Sequence, residues 1–267
     1  MKVVFACPSY RRPKCITARY IPTVHVYVDP SEAEEYRRAN ETGVIVECAP
    51  GVQGNLPRVR NHILDREFDD GADVVVMMDD DVSSVSTWHV DDDTGFGYVR
   101  NRLNAKQLEK FVEQHAELCK AWGFGMFGLN YNQDKKLYQH FKPFSTLKCA
   151  VGQFMAFVEN ELRFDEGLPL KEDYDMCLQQ IRRYRGVLTV NYAFVEGDFG
   201  KLSGGTSIRR NYHNEFEQFK LFKSKWGSSI VRGAATRNPS SKKDRATLYV
   251  DKYDFSHPTV KAPIEGV

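Results

Sequence analysis

Three consecutive acids, Asp79, Asp80 and Asp81, are the residues of this chain whose types and spacing most clearly suggest a chemical function. They follow five apolar residues, 74–78, a run that predicts a strand buried on both faces. Carboxylates at the end of such a strand repel one another and lose hydration, so they need a compensating cation. Alternation along a strand predicts that Asp79 and Asp81 share one hard divalent ion on one side, with Asp80 on the other. The motif alone leaves a solvated acidic turn as the alternative.

The elements that must position these acids are strands that alternate with helices. Strand patterns cover 3–7, 24–28, 44–48 and 74–78, with helices predicted over 31–38 and 56–68. This alternation predicts an α/β fold with a mainly parallel sheet. Ligands bind beyond the carboxyl ends of the strands in such sheets. Residues 8–12, Asp29 and the three acids all fall at such ends, which strengthens the metal-site hypothesis.

The second half of the chain changes character. Helices are predicted over 105–122, 172–181 and 215–226, and strands over 123–130, 151–158 and 187–194. The helix that begins near Glu172 opens with several acids. Residues 200–207 are glycine-rich and predict a flexible loop. The tail from Arg232 is rich in Ser, Lys and Arg and is expected to be irregular.

Composition restricts the class of protein. The 267 residues are 42% hydrophobic and 12% aromatic, enough for a substantial core, and the formal net charge is +1. The sequence contains no run of 18 apolar residues, so no membrane span is predicted. The apolar stretch near the N-terminus is too short for a signal peptide. The six cysteines show no zinc spacing and no Cys-x-x-Cys. We therefore expect a soluble protein of a reducing cytoplasm.

Positive charge is concentrated near the C-terminus. Residues 201–245 hold 11 Lys and Arg against three acids, a local charge of +8. A solvated surface segment is one interpretation, and a surface for a polyanion such as DNA is the other.

Several segments together resemble a known family. They are Pro8-Ser-Tyr-Arg-Arg12, Arg60-Asn61, the Asp-x-Asp, Phe164-Asp-Glu166 and Glu172-Asp173 with Asp175. In this order they resemble nucleotide-sugar-dependent glycosyltransferases of the GT-A fold. The stretch 204–210 and the overall size look most like the phage-type TET-associated glycosyltransferases, which are thought to decorate hydroxymethylated pyrimidines in DNA. A Gln-x-x-Arg-Trp motif is absent from the sequence, which argues against a processive polysaccharide synthase.

The resemblance implies a fold, a donor and a cofactor. The fold is a GT-A-like three-layer α/β sandwich, a single domain over 1–267. Within it, a Rossmann-like nucleotide-sugar-binding half spans 1–100, an acceptor half 101–200 and a basic C-terminal segment 201–267. A nucleotide sugar, most simply a UDP-sugar, is the expected donor. Mg²⁺ or Mn²⁺ on Asp79 and Asp81 would neutralise charge on its diphosphate.

The resemblance also assigns roles to individual residues. The donor would be held by residues at the carboxyl ends of the strands, on the helix before the acids and in the glycine loop: Pro8, Tyr10, Arg11 or Arg12, Asp29, Arg60, Asp79, Asp80 and Lys201. A third metal ligand often comes from a C-terminal histidine in this fold, which points to His213, with His257 second. Each of these residues also has an ordinary structural interpretation, such as a salt bridge or a solvated charge.

Fewer residues of the sequence point to the acceptor side of the site. Asp173 is the candidate general base for the acceptor hydroxyl, with Asp175 next, while Glu172 is a cap or a sugar ligand. An acid is favoured at a helix start in any case. Arg209 and Arg210 are the candidate DNA contacts.

Three other functions remain open at this stage. The same fold could act on a protein, a glycan or a small molecule, with the basic segment incidental. It could also be a non-catalytic relic that binds DNA, although the intact acids weigh against this. Nucleotidyl transfer would need an N-terminal Gly-rich loop and Lys, which the sequence lacks.

Overall fold

The computed structural model describes residues 1–91, 97–150, 152–197, 204–205, 210–235, 249–250 and 253–263 of the chain. The strands are β1 (Val3–Pro8), β2 (His25–Val28), β3 (Val44–Glu47), β4 (Val74–Met78), β5 (Val82–Val90), β6 (Tyr98–Leu103), β7 (Met126–Asn130), β8 (Phe144–Ser145), β9 (Phe154–Val158), β10 (Leu188–Gly197), β11 (Val231–Ala235), β12 (Tyr249–Val250) and β13 (Tyr253–Val260). The helices are α1 (Ile16–Tyr20), α2 (Ala33–Ala39), α3 (Leu56–Asp69), α4 (Ala105–Ala121), α5 (Glu172–Tyr184) and α6 (Tyr212–Trp226), with 3-10 turns at Pro30–Glu32 and Lys135–Leu137.

A ten-stranded sheet forms the centre of the protein. Its order is β3-β2-β1-β4-β9-β7-β10-β5-β6, and β8 pairs with β10. The first four of these strands are parallel neighbours, and β7 and β10 are also parallel. Seven of the ten strands run in one direction, against β5, β8 and β9. The expected mainly parallel sheet is confirmed.

Helices cover both faces of this sheet. Strand β4 is buried on both sides, as its uninterrupted apolar run predicts. On one face Val74 and Val76 belong to a core with Leu108 of α4, and on the other Val75 belongs to a core with Ile63 of α3. Residues of α5 join the second face. The predicted three-layer α/β sandwich is therefore confirmed.

Two parts of the architecture differ from expectation. The hairpin of β5 and β6 and the short helix α1 were not predicted, because Ser, Thr and charged residues interrupt their apolar patterns. The tail was expected to be irregular, and this is wrong for its described residues. Strands β11, β13 and β12 form a second sheet, in which Val231 and Phe255 pack against Phe222 of α6. A few buried apolar side chains are enough to order a segment whose average composition is polar.

Across the part of the chain that the structure describes, no helix combines the length and apolar character that a membrane crossing requires. All six cysteines are free thiols, and five of them are buried.

Candidate functional site

The three acids form the tight turn between β4 and β5. Because this turn is not extended, the alternation expected of a strand does not apply. One nitrogen of Arg12 lies 2.6 Å from an oxygen of Asp80 and 3.4 Å from an oxygen of Asp81. Asp79 instead lies 3.3 Å from Arg60. Arg12 thus groups Asp80 with Asp81, while the sharing of one ion by Asp79 and Asp81 stays a prediction.

Asp80 is the most tightly held of the three. Its carboxylate accepts hydrogen bonds from the hydroxyl of Ser9 and from Arg12. The Ser9 hydroxyl also lies 2.8 Å from the hydroxyl of Tyr36, which accepts the Arg12 backbone N–H at 3.1 Å. Burial raises the pKa of Asp80 although Arg12 opposes the shift. The sequence did not predict the roles of Ser9 and Tyr36. Ser9 carries no signal of its own beside Pro8 and Tyr10, and Tyr36 resembles any other residue of a helix.

Asp81 has an unsatisfied carboxylate. Its side chain is only 8% exposed. Its Oδ1 atom is buried and has no hydrogen-bond partner among the described residues. Burial, with Asp79 and Asp80 nearby, raises the pKa of Asp81 to about 7. A buried carboxylate oxygen without a donor is a position that a cation would stabilise.

These features fit the predicted metal. Asp79 is 35% exposed, so its carboxylate is accessible to a ligand, and Asp81 offers the free oxygen. Both are hard oxygen ligands of the kind that Mg²⁺ and Mn²⁺ bind. The predicted third ligand has less support, because His213 is exposed at the start of α6 and His257 is exposed on β13. In the described ranges, no three His, Cys, Asp or Glu side chains are grouped so that they hold a metal together.

Arg60 links the acidic turn to the start of α5. It projects from α3, whose first turn is capped by the Asn55 side chain. The guanidinium is 4% exposed, lying 3.3 Å from Asp79 and 3.1 Å from Glu172. Burial and the neighbouring Asp173 raise the pKa of Glu172 to about 7, against the influence of Arg60. Segments more than a hundred residues apart in sequence thus meet at one edge of the sheet.

Asp173 and Asp175 have different environments. Asp173 is half-buried, and its Oδ2 accepts the backbone N–H of Gly152 at 3.1 Å. Asp175 is fully buried and lies 2.9 Å from the Lys225 ammonium, and it accepts the indole N–H of Trp226 at 2.7 Å. Asp175 therefore ties α5 to α6, and Trp226 takes part in that contact.

The first loop carries the next group of predicted donor contacts. Pro8 ends β1, and the Arg11 guanidinium lies 5.0 Å from the centre of the Tyr10 ring. The Arg11 backbone N–H donates to Glu32 at 2.8 Å. Asp29, at the end of β2, accepts hydrogen bonds from the backbone and hydroxyl of Ser31, which lower its pKa. The structure thus gives Asp29 a capping role and leaves its carboxylate near the surface.

Two glycines of the predicted loop lie against this first loop. The Gly205 N–H donates to the Tyr10 carbonyl at 2.9 Å, and Arg12 donates to the Gly204 carbonyl at 3.3 Å. A Cβ on Gly204, whose φ is +100°, would lie 2.6 Å from the Arg11 carbonyl oxygen, so glycine is required.

The remaining predicted residues are only partly described. Lys201 and Arg209 lie outside the described residues. Arg210 is exposed, 3.8 Å from Glu215, and its charge opposes the rise in the pKa of Glu172. Arg210 therefore stands near the start of α5.

An α/β sheet whose carboxyl edge gathers acids, arginines and a helix start defines a class of enzyme that handles charged substrates at that edge. Residues 16–197, more than half of the chain, match the TET-associated glycosyltransferase family. The chain belongs to this family. The resemblance to the TET-associated glycosyltransferases that the sequence motifs indicated is confirmed. A sequence comparison with curated proteins finds no match.

Several solved structures are similar in fold at low sequence identity. Residues 1–349 of TarS from S. aureus align with a TM-score of 0.45 and 13% identity over 85% of this chain. Glucosyl-3-phosphoglycerate synthase from Mycobacterium tuberculosis, in complex with Mn²⁺, UDP and phosphoglyceric acid, aligns with a TM-score of 0.46 and 10% identity. That alignment covers 98% of this chain and 90% of the synthase. The chain spans 65% of the TarS fragment and 40% of a longer TarS structure.

Proposed function

We propose that this protein transfers a sugar from a nucleotide sugar, most simply a UDP-sugar, to the hydroxyl of a hydroxymethylated pyrimidine in DNA, such as 5-hydroxymethylcytosine. The observation that carries the proposal is the buried Arg60, which lies 3.3 Å from Asp79 and 3.1 Å from Glu172. It joins the acidic turn, where a donor diphosphate would bind, to the helix start that carries the candidate base. A transferase needs these two parts side by side.

The donor half of the proposed site uses fixed positive and negative groups. Asp79 and Asp81 would hold Mg²⁺ or Mn²⁺, which when bound neutralises charge on the departing diphosphate. Arg60 stands beside Asp79 and would add positive charge there. Pro8, Tyr10, Arg11 and Asp29 line the ends of β1 and β2, where a nucleoside would be held. Asp80 would meet ribose or sugar hydroxyls, and Lys201 a phosphate.

The transfer step is assigned to Asp173. Its carboxylate would accept the proton of the acceptor hydroxyl while that oxygen forms a bond to the anomeric carbon of the sugar. The bond between this carbon and the diphosphate oxygen breaks, and its electron pair leaves with the nucleoside diphosphate. The Gly152 N–H donates to one Asp173 oxygen at 3.1 Å and the Tyr174 N–H to the other at 2.8 Å. Each oxygen keeps a further lone pair that could accept the proton of the acceptor hydroxyl.

DNA is the acceptor that two features favour. The family name associates these enzymes with TET proteins. The sequence places 11 basic residues in 201–245, and the exposed Arg210 stands near the start of α5. Phosphate neutralisation by Lys and Arg dominates DNA affinity.

A donor-hydrolysis and transfer assay tests the proposal. The purified protein would be given UDP-sugars with Mn²⁺, alone and with duplex DNA that carries 5-hydroxymethylcytosine or cytosine. We expect slow hydrolysis of one donor in the absence of DNA and mass-shifted DNA only with the hydroxymethylated duplex. Activity unaffected by excess chelator would contradict the metal assignment.

An acceptor other than DNA is the alternative that the same assay separates. Turnover on a protein, glycan or small molecule, with no transfer to DNA, would leave the glycosyltransferase class intact and remove the DNA acceptor. Binding of DNA without hydrolysis of any donor would indicate a non-catalytic relative.

A further inference from the structure

We propose that a polar cavity beyond the end of β7 binds one phosphodiester of the acceptor DNA strand and so anchors the strand beside Asp173. The inference deepens the proposed function and rests on it. None of the sequence motifs that define the donor site falls in this cavity. It is built by the segment that leaves β7 and returns to β9.

The cavity is polar and large enough for a phosphate group. Its volume is about 230 Å³, far above the roughly 10–15 Å³ that one water needs. Its wall includes Tyr131, Gln139, Lys142, Ser145 and Lys148. This mixture of cations, a hydroxyl, an amide and an aromatic edge offers hydrogen-bond donors and few apolar surfaces.

Two lysines give the cavity its charge. The Lys148 ammonium is half-buried, donates to the Asn130 side chain at 3.0 Å and lies 5.4 Å from the centre of the Tyr131 ring. Its pKa is lowered by burial and by the charge of Lys142. Within the described ranges, no carboxylate lies within ion-pair distance of either ammonium. Two neighbouring cations without a counter-charge favour an anionic ligand.

Ser145 provides a further donor for such a ligand. The Asn191 amide donates to the Ser145 hydroxyl oxygen at 2.8 Å, which leaves the hydroxyl proton available to an incoming oxygen. The carbonyl oxygen of Lys142 accepts the same Asn191 amide at 3.0 Å and fixes the backbone there. A phosphate, with several acceptor oxygens, matches this hydroxyl together with the two ammonium groups.

The cavity lies beside the candidate base. Strand β7 runs in the same direction as β1 and β4, so its end lies at the same edge of the sheet. Gly152, whose N–H donates to Asp173, follows Lys148 by four positions, a span of at most about 14 Å. A base extruded from a duplex needs its backbone held at such a distance.

Neutral phosphate substitutions test the proposal. The substrate is a duplex with one 5-hydroxymethylcytosine and a single methylphosphonate at each flanking position in turn. In the wild-type protein we expect the methylphosphonate at one position to raise the KM for DNA about tenfold, because it removes a hydrogen bond to a charged phosphate. In the variant with Lys142→Gln and Lys148→Gln, the same substitution should add nothing further. The slope of DNA affinity against salt should fall by about one, while donor hydrolysis stays unchanged.

A matched control comes from the same segment. Lys135 and Lys136 are exposed in a 3-10 turn and do not line the cavity. Their double change to Gln removes the same charge and should leave the sensitive position as in the wild type. Lys142 is exposed, so Lys142→Gln alone is a variant that keeps the fold and should show part of the effect.

The outcomes separate this inference from the proposed function. If the cavity variant and the control respond alike to every methylphosphonate, the phosphate site is wrong and the DNA acceptor stands. A loss of transfer in the cavity variant without a sensitive phosphate position would place the target base in the cavity, and this too overturns the inference. If the wild-type protein hydrolyses the donor but glycosylates no DNA, both ideas fall.

Discussion

At the residue scale, Asp81 shows how burial prepares a carboxylate for a metal. Its pKa of about 7 lies far above that of an exposed aspartate, chiefly because of burial. A pKa raised in the folded state means that the fold prefers the protonated acid. The stability from this group is complete below about pH 4 and is lost as pH rises through about 7. A bound cation would replace the proton and relieve that cost.

The first prediction follows from this exchange of proton for metal. Between pH 6 and pH 8, Mn²⁺ affinity should rise about tenfold in all and then level off, because binding must displace the Asp81 proton. Asp81→Asn should remove both the affinity and its pH dependence. In the absence of metal at pH 8 it should also raise the free energy of unfolding by a few kcal/mol, since one pKa unit is worth about 1.4 kcal/mol. Calorimetric titration in two buffers of different ionisation enthalpy measures affinity and proton release. Equal affinity at pH 6 and pH 8 would contradict the assignment.

The second prediction separates chemistry from binding at Asp173. Asp173→Asn keeps one oxygen that can accept the Gly152 N–H and loses only the contact of the other oxygen with the Tyr174 N–H, so the protein should fold and bind donor and metal as before. Transfer should fall by about 10²–10⁴, the usual contribution of a general base. Single-turnover transfer and donor binding measure the two effects. Normal transfer by this variant would make Asp173 an acid of the helix start only.

Asp175→Asn is the matched control for this experiment. Asp175 is fully buried against Lys225 and Trp226, so the change should lower the free energy of unfolding. At a temperature where the variant remains folded, kcat should stay near that of the wild type. The same chemical change two residues apart thus separates a catalytic carboxylate from a structural one.

At the scale of elements, a buried ion pair joins α5 to α6. Lys171, just before α5, donates to Glu215 in the first turn of α6, and both side chains are 0% exposed. The third prediction is that Lys171→Met costs about 3–5 kcal/mol, because it removes the nearest counter-charge of a buried carboxylate. Adding Glu215→Leu should restore most of the loss. Denaturant unfolding of both single variants and the double variant measures this, and a double variant no more stable than Lys171→Met would show that the pair is not an isolated unit.

The elements also show what a sequence can and cannot predict. The strands β1 to β4 and the helices α3 and α4 carry continuous apolar patterns or clear caps, and they form within a few residues of their predicted positions. The hairpin of β5 and β6 was not predicted because polar residues interrupt both strands: Ser84, Ser86 and Thr87 are buried in β5, and Arg100 and Arg102 are exposed in β6. The second sheet was not predicted because its core depends on isolated residues such as Val231 and Phe255, which only tertiary packing brings together.

The sequence predicts which residues belong to the candidate site, but it does not predict their contacts. Short motifs and the parallel sheet place Asp79, Arg60 and Asp173 at one edge. That Arg12 holds Asp80 and Asp81 together depends on the turn geometry, which the sequence pattern does not encode. The cavity with Lys142 and Lys148 has no motif at all, since it arises from a loop that folds back on β7 and β10.

At the scale of the whole molecule, ion pairs reduce what the described cations of the C-terminal segment can offer to a polyanion. Lys225 forms ion pairs with Asp165 and Asp175, and Lys220 lies 2.8 Å from Glu217. Arg210 and Arg232 are exposed, and Arg210 stands near the start of α5. Among the described cations, Arg210 therefore contributes to the proposed DNA surface beside the site, and its effect should be local.

The fourth prediction tests that surface. Affinity for duplex DNA should fall steeply between 50 mM and 200 mM salt, because docked Lys and Arg displace cations from the phosphates. Changing Arg209 and Arg210 together to Gln should weaken DNA binding and lower the salt slope by about two, one per phosphate contact. Slow donor hydrolysis by water should remain close to that of the wild type. Lys106 and Lys110 are exposed on α4, which packs on the opposite face of the sheet from α5, so their change to Gln is the matched control. Filter binding at two salt concentrations, with and without 5-hydroxymethylcytosine, measures the difference. If both double variants lose affinity equally, net charge alone governs binding and no DNA surface lies beside the site. If the wild type binds no DNA even at low salt, the acceptor must be sought among proteins, glycans or small molecules.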